Sequence, residues 1–262
     1  MKVKIKILLL LTISTLTIFI LILNILVNTH KIYNYEVNRI NTKQKVVMLT
    51  FDDGPEASAD NAILDILEKE KVSGMFFQIG RNIDQRLYNK DPNIANKYLA
   101  LQRRILTGPS HSWIGSHTYS HLNYLSRQKL AVQELNHTYK LLQKIYQNIL
   151  KITITPELVP TRFAYLQYFN GMDYIGQKTN NKYFIRGYLG TDYNEKRAGK
   201  NKILHEYLSH LHPGQIFVCH TRNYAKIWLP ELIRILKNKG YQFASFNPNS
   251  PHYYQKYGKL VD

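Results

Sequence analysis

Six uncharged residues, Val46-Val47-Met48-Leu49-Thr50-Phe51, run directly into Asp52-Asp53-Gly54-Pro55. A continuous apolar run of that length, stopped by a turn signal, is the pattern of a strand buried on both faces. Such strands belong to parallel sheets covered by helices. Adjacent Asp residues before Gly-Pro also occur as turn caps. Here they follow a wholly apolar strand, where burying two carboxylates requires a cation or a hydrogen-bond network. Neighbouring side chains diverge, so one carboxylate can bind a cation while the other faces a water on it.

The rest of the chain alternates short apolar runs with helix-period segments. The pattern predicts a helix over 57–70, a strand over 74–80 and a helix within 93–106. Ser126 reads as the N-cap of a long helix to about residue 150. Along it Ala131, Leu135, Thr138, Leu142, Ile145 and Ile149 build one buried stripe. Strands are expected at 158–163, 183–189, 215–219 and 241–245, with an amphipathic helix around Leu229, Leu232, Ile233 and Leu236 that stops at Gly240. Repeated strand–helix units imply an α/β fold, a (β/α) barrel. Chemistry in such folds collects where the strands end. Asp52, Asp53, His117, Arg162, Asp192 and His220 all fall at such ends.

The amino terminus constrains location. Lys2, Lys4 and Lys6 precede an apolar run over 7–27, long enough to span a bilayer as a helix. No small-residue cleavage site follows it, and the flank ahead of it is purely cationic. The expected organisation is a signal anchor over 1–27, a polar tether over 28–44 and a catalytic domain over 45–262, held outside the cytoplasm. Secretion after cleavage of a signal peptide is the alternative. The net charge of +17 suits an anionic lipid surface or polysaccharide. No nucleic-acid partner is expected, because the Lys and Arg are dispersed and no recognition motif accompanies them. Cys219 is the single cysteine, so no internal disulfide forms, and it reads as a small buried strand residue.

His117 and His121 stand four apart in Gly115-Ser116-His117-Thr118-Tyr119-Ser120-His121. That spacing puts two imidazoles on one side of a helical turn. One Asp plus two His makes a three-ligand set for a divalent metal, leaving the open coordination position that hydrolysis needs. The same ligand types form the facial triad of non-haem iron oxygenases, but those enzymes use an antiparallel double-sheet barrel. No dinucleotide fingerprint, phosphate loop or nucleophile elbow is present.

Together these segments resemble the polysaccharide deacetylases of carbohydrate esterase family 4, the NodB-homology domain. Residues 50–55 match the family's first motif, Thr-Phe-Asp-Asp-Gly-Pro, without change. His117-Thr118-Tyr119-Ser120-His121 matches its second, and Phe76-Phe77 with Gly80 resembles its second strand. The third motif, Arg-x-Pro-aromatic-Gly, is approximated by Arg162-Phe163-Ala164-Tyr165-Leu166, which lacks the Pro and Gly. Asp192-Tyr193 stands for an Asp before an aromatic, and Val218-Cys219-His220 for Leu-x-His. The resemblance runs over about 45–247.

It implies a distorted (β/α) barrel of the NodB-homology type, with Asp53, His117 and His121 as metal ligands. Mixed nitrogen and oxygen donors suit Zn2+, with Co2+, Ni2+ or Fe2+ as alternatives. It also implies Asp52 as base, Arg162 orienting that base, His220 as acid with Asp192 tuning it, and the Tyr165 backbone N–H as an oxyanion donor. The implied activity is metal-dependent hydrolysis of N-acetyl groups from an N-acetylhexosamine glycan such as peptidoglycan. The alternatives are deacetylation of a lipid-linked sugar, and a glycan-binding protein that kept the fold and lost catalysis.

Overall fold

The structure, a computed structural model, describes residues 36–262. The expected anchor over 1–27 and the first part of the expected tether, 28–35, lie outside the described residues. Among the described residues no helix is long and apolar enough to cross a membrane.

The central strand is the one that the apolar run announces. β3 (Val46–Gly54) buries all but one of its residues. It is flanked in parallel by β4 (Gly74–Gln78), β8 (Gln215–His220) and, at its start, β9 (Gln242–Phe243). β5 (Trp113–Ser116) continues the parallel order beyond β4. From there two isolated bridges, Ser116 to Thr161 and Thr161 to Phe184, carry the wall on to β6 (Phe184–Ile185). β7 (Tyr188–Leu189) then pairs in parallel with β8. The wall therefore returns to where it began, as a distorted parallel barrel.

The jump from one neighbour to the next between β6 and β7 depends on Gly187. Its φ is +73°, and a Cβ there would lie 2.6 Å from the Ile216 carbonyl oxygen. Only glycine tolerates both.

Helices cover the outside. α1 (Ala57–Glu70), α3 (Pro92–Thr107), α4 (Gln128–Leu150) and α7 (Ala225–Asn238) lie where the periodicity places them. The stripe from Ala131 to Ile149 is buried along α4. Gly240 closes α7 at φ +80°, with its N–H donating to Lys237 O and that of Tyr241 to Leu236 O. α2 (Gly80–Leu87), α5 (Met172–Thr179) and α6 (Glu195–Ser209) were not expected. The first two are only two turns long, and α6 breaks at Gly199, so none offers a long periodic stripe.

Four expectations are corrected. The tether does not extend to residue 44: β1 (Glu36–Val37) pairs with β6, and β2 (Arg39–Asn41) pairs antiparallel with β8 and β10 (Lys259–Val261). Two- and three-residue strands carry no readable alternation, which is why they pass for polar linker. Ser126 is not an N-cap. It sits at φ +61°, and α4 begins at Gln128 after Arg127 with no side-chain cap. Residues 158–163 do not form a strand, because Pro156 and Pro160 withhold backbone donors and only Thr161 pairs. The segment 183–189 is two short strands split at Arg186-Gly187.

Close strand approach fixes the floor of the barrel. A Cβ on Gly115 would stand 2.4 Å from Met75 Cε and 2.5 Å from the Pro160 carbonyl oxygen. Gly115→Ala should therefore cost about 1–3 kcal/mol through overpacking. Denaturant unfolding of the variant against the parent checks it; an unchanged midpoint would show that β5 yields without strain.

Candidate active site

β3 and β8 run in register so that Asp52 sits opposite His220. The pairing brings two titratable side chains from distant sequence to one end of the barrel. Asp52 is buried, and its Oδ1 accepts from Arg162 Nη1 at 2.6 Å. The same Nη1 donates to Thr50 Oγ1 at 2.7 Å, and Arg162 Nε donates to Ile185 O at 3.1 Å. The guanidinium stacks over Phe77 at 4.3 Å from the ring centre. A charge taken wholly out of water is held only with such partners. Asp52 Oδ2 remains free of Arg162 and lies 3.8 Å from His117 Nε2.

Asp53, His117 and His121 converge next to it, with one donor atom of each within 4.8 Å of the others. Asp53 Oδ1 is 3.4 Å from His121 Nε2 and 3.7 Å from His117 Nε2. Tetrahedral ligands at zinc-like bond lengths stand roughly 3.3–3.6 Å apart, so the donor set fits one divalent cation. His117 Nδ1 bonds to the Arg162 carbonyl oxygen at 2.9 Å, which places its proton on Nδ1 and leaves Nε2 as a lone-pair donor. Burial, helped by neighbouring His117, pulls the His121 pKa below the ordinary value and so favours the neutral ring.

The two histidines do not share a helical turn. Thr118 and His121 have φ of +62° and +55°, and the loop after β5 folds back to bring the rings to 5.0 Å. Asp53 (+74°), Tyr165 (+59°) and Leu166 (+50°) are left-handed too. Five non-glycine residues in that region around one cleft mark a backbone held against its preference.

On the other side of the cleft His220 Nδ1 lies 3.1 Å from Asp192 Oδ1, while its backbone N–H donates to Asp192 Oδ2 at 2.7 Å. Buried Tyr207 donates its hydroxyl to Asp192 Oδ1 at 3.0 Å. Burial alone would lower the His220 pKa, but the hydrogen bond and charge of Asp192, with Asp52 and Asp53 behind them, reverse this. The net shift is upward. With Nδ1 committed to Asp192, Nε2 is the atom able to exchange a proton in the cleft.

A cleft of about 400 Å³ joins the two sides. All eight residues expected from sequence are here: Asp52, Asp53, His117, His121, Tyr165 and His220 line the cleft, and Arg162 and Asp192 support it from behind. Tyr165 stands over His121 with ring centres 4.8 Å apart. Arg222 was missed: its Nη2 donates to Asp53 Oδ2 at 2.9 Å. Its place two residues past His220, at a strand end, was the available signal. Leu189 and Tyr193 also line the cleft, Tyr193 6.1 Å from the His220 ring.

A curled parallel barrel with this site is the architecture of a polysaccharide deacetylase, a class of metal-dependent hydrolases acting on N-acetyl amides. The family model described as polysaccharide deacetylase matches residues 39–179, more than half of the chain. The chain belongs to the polysaccharide deacetylase family. It is similar to the peptidoglycan-N-acetylmuramic acid deacetylase PdaA of Bacillus subtilis, at 27% identity over 79% of this chain and 72% of that protein. It also matches a bifunctional xylanase/deacetylase of Pseudobutyrivibrio xylanivorans, 26% identical over 77% of this chain but only 30% of that longer protein. Among solved structures, a CE4 family pseudoenzyme from Bacillus anthracis superposes with a TM-score of 0.62 at 19% identity, over 81% of this chain and 67% of that one. That likeness shows the fold.

One buried carboxyl lies directly beneath the site. Asp60 accepts from the Glu56 backbone N–H at 2.7 Å and from the Thr221 hydroxyl at 2.9 Å, tying the turn after Asp53 to the residue after His220. Burial raises its pKa to about 7. A carboxyl whose folded pKa is raised favours the fold while neutral, so its contribution is complete in acid and is lost as pH climbs from about 4 through about 7. Asp60→Asn keeps both hydrogen-bonding positions without the ionisation. The melting temperature of the variant should therefore fall less than that of the parent between those pH values, and parallel profiles would show that Asp60 is ionised throughout.

Proposed function

We propose that the chain removes N-acetyl groups from an N-acetylhexosamine glycan of the cell wall, peptidoglycan or a related polymer, on the extracytoplasmic side of a membrane. The observation that carries this reading is the pair of opposed, independently supported groups, Asp52 on Arg162 and His220 on Asp192, flanking three converging metal donors. The name of the Bacillus subtilis relative points to the same substrate class. The apolar run over 7–27 supports anchoring.

A divalent metal held by Asp53, His117 and His121, most simply zinc for such mixed donors, would polarise the acetamide carbonyl and acidify a water beside it. Asp52 takes the proton from that water as it attacks. Arg162 holds Oδ1 so that Oδ2, the free oxygen, faces the cleft. Negative charge develops on the carbonyl oxygen, and the Tyr165 backbone N–H is the proposed donor for it. The C–N bond then breaks, and the amine leaves only once protonated. His220 Nε2 supplies that proton, and Asp192 favours the charged ring and aims it. Acetate and a free amino sugar are the products.

A member that kept the fold without catalysis is the second reading, prompted by the altered third motif and by the Bacillus anthracis pseudoenzyme. The retention of both supported pairs together with all three metal donors favours the enzyme.

Protein purified with metal should release acetate from N-acetylglucosamine oligomers or from peptidoglycan. Asp52→Asn should lower turnover by about 10²–10⁴-fold while elemental analysis finds the metal retained. No acetate from any N-acetylated glycan, with metal bound, would hand the site to the binding-protein reading. Asp192→Asn tests the acid separately. An acid must be protonated, so kcat/KM falls as pH rises through the His220 pKa; with the charge of Asp192 removed, that alkaline limb should move to lower pH. An unmoved limb would remove His220 from the acid's role.

A further inference from the structure

The end of the barrel opposite the cleft is the one where the strands begin. β1 runs parallel to β6 with Glu36 beside Phe184, in the same direction as the barrel strands. Asp52, His117 and His220 stand where the strands finish. The starting end also carries an apolar hollow of about 190 Å³, walled by Trp113, Pro160, Tyr183, Phe246 and Tyr254. At its edge Ile152 is 40% exposed and Leu158 51% exposed.

Lysines surround this end because the helices of such a barrel return to it and finish there. Lys151 and Lys239 follow α4 and α7, Lys71 follows α1, and Lys45 precedes β3, all of them exposed. Exposed Lys182 borders the hollow itself, and exposed Lys256 follows Gln255, which lines it. The acids at the foot of α1 are neutralised locally, Glu68 by Arg104 at 2.7 Å and Glu70 by Lys237 at 2.8 Å. One acid, Glu157, lies in the same run of sequence as Leu158.

The geometry points to this end of the barrel as a docking surface for an anionic lipid bilayer, which holds the cleft facing away from the membrane. This rests on the anchored reading of residues 7–27. An exposed apolar edge inside a lysine rim matches an anionic leaflet in both charge and greasiness. Residues 28–35, between the apolar run and β1, span at most about 29 Å even when fully extended. β3, with nine residues, is itself about 30 Å long. Docked base first, the cleft stands on the order of 30 Å from the leaflet, too far to take a sugar whose lipid carrier remains in it. The substrate must then be a glycan lying beyond the membrane surface, a polymer of the wall and not a lipid-linked precursor.

The test uses the full-length chain in vesicles. Leu158→Cys, and separately Leu125→Cys in the loop after His121 at the cleft end, carry an environment-sensitive fluorophore; native Cys219 is buried. In vesicles of phosphatidylglycerol with phosphatidylcholine, the label at 158 should shift to the blue and be quenched by nitroxide lipid, while the label at 125 should do neither. In phosphatidylcholine alone the effect at 158 should shrink. Each lysine near an anionic leaflet strengthens contact roughly fivefold, so Lys151→Glu with Lys256→Glu should greatly reduce the quenching. Quenching at 125, or at neither position while the protein stays in the bilayer, overturns the proposal. An alkaline wash separates the two ideas. Protein stripped from the vesicles overturns the anchor, and docking then stands only if position 158 was quenched beforehand.

Discussion

Arg162 is fully buried among the largest side chains of the core, and a guanidinium in such a place must have its charge and its donors met by the protein. Asp52 meets the charge. Thr50 and the Ile185 carbonyl meet donors on Nη1 and Nε, the Phe77 ring meets the flat face, and only Nη2 is left without a hydrogen-bond partner among the described residues. Its main chain is equally engaged: the N–H donates to Ser116 O, and the carbonyl accepts from His117 Nδ1. One residue thus touches β3, β4, β5 and β6 and fixes both the free oxygen of Asp52 and the free nitrogen of His117. A buried ion pair is a poor investment for stability alone, since a well-packed apolar pair often does as well. Its position here is better explained by what it aims.

The second support is built on the same plan. His220 and Asp52 are neighbours across the β3–β8 ladder, so their separation is set by backbone pairing and not by loop geometry. Asp192 reaches His220 from a 3-10 turn, and Tyr207 in α6 shares its single hydroxyl proton between Asp192 and Val218 O. The raised pKa of His220 and the lone pair on His117 therefore follow from one rule: each imidazole has its Nδ1 occupied by a group behind it and presents Nε2 forward. What differs is the partner. A neutral carbonyl behind His117 leaves a lone pair that could hold a cation, whereas a carboxylate behind His220 favours the imidazolium and a proton that could be given up.

The sequence was most legible where burial is strongest. The run ending at Phe51, the stripe from Ala131 to Ile149 and the close of α7 at Gly240 are long or sharply punctuated signals. The wall between β5 and β8 was not, because it is made of a single bridged residue and two-residue strands whose pairing depends on partners far away in the chain. The same division holds in the site. Asp52, Asp53, His117 and His121 come from contiguous motifs, while Arg222 carries only its place two residues past His220, and its contact with Asp53 is set by the fold. The histidine pair converges for a reason other than the expected one: the four-residue spacing works through left-handed loop residues and not through a helix.

The altered third motif falls into place against this background. Every contact that Arg162 makes inward, to Asp52, Thr50, Ile185 and His117, comes from its own backbone and side chain, and none passes through Ala164 or Leu166, where Pro and Gly would stand. What those two positions shape is the turn over Ala164–Leu166, where Tyr165 and Leu166 adopt consecutive left-handed conformations that cost a non-glycine residue roughly 1–2 kcal/mol each. That cost is borne where the chain holds the Tyr165 ring against His121 and places Leu166 at the lip of the cleft. The divergence is therefore confined to the rim that a substrate meets first. The floor around Asp52 and Arg162 is independent of it, and only His121 meets it, through the Tyr165 ring.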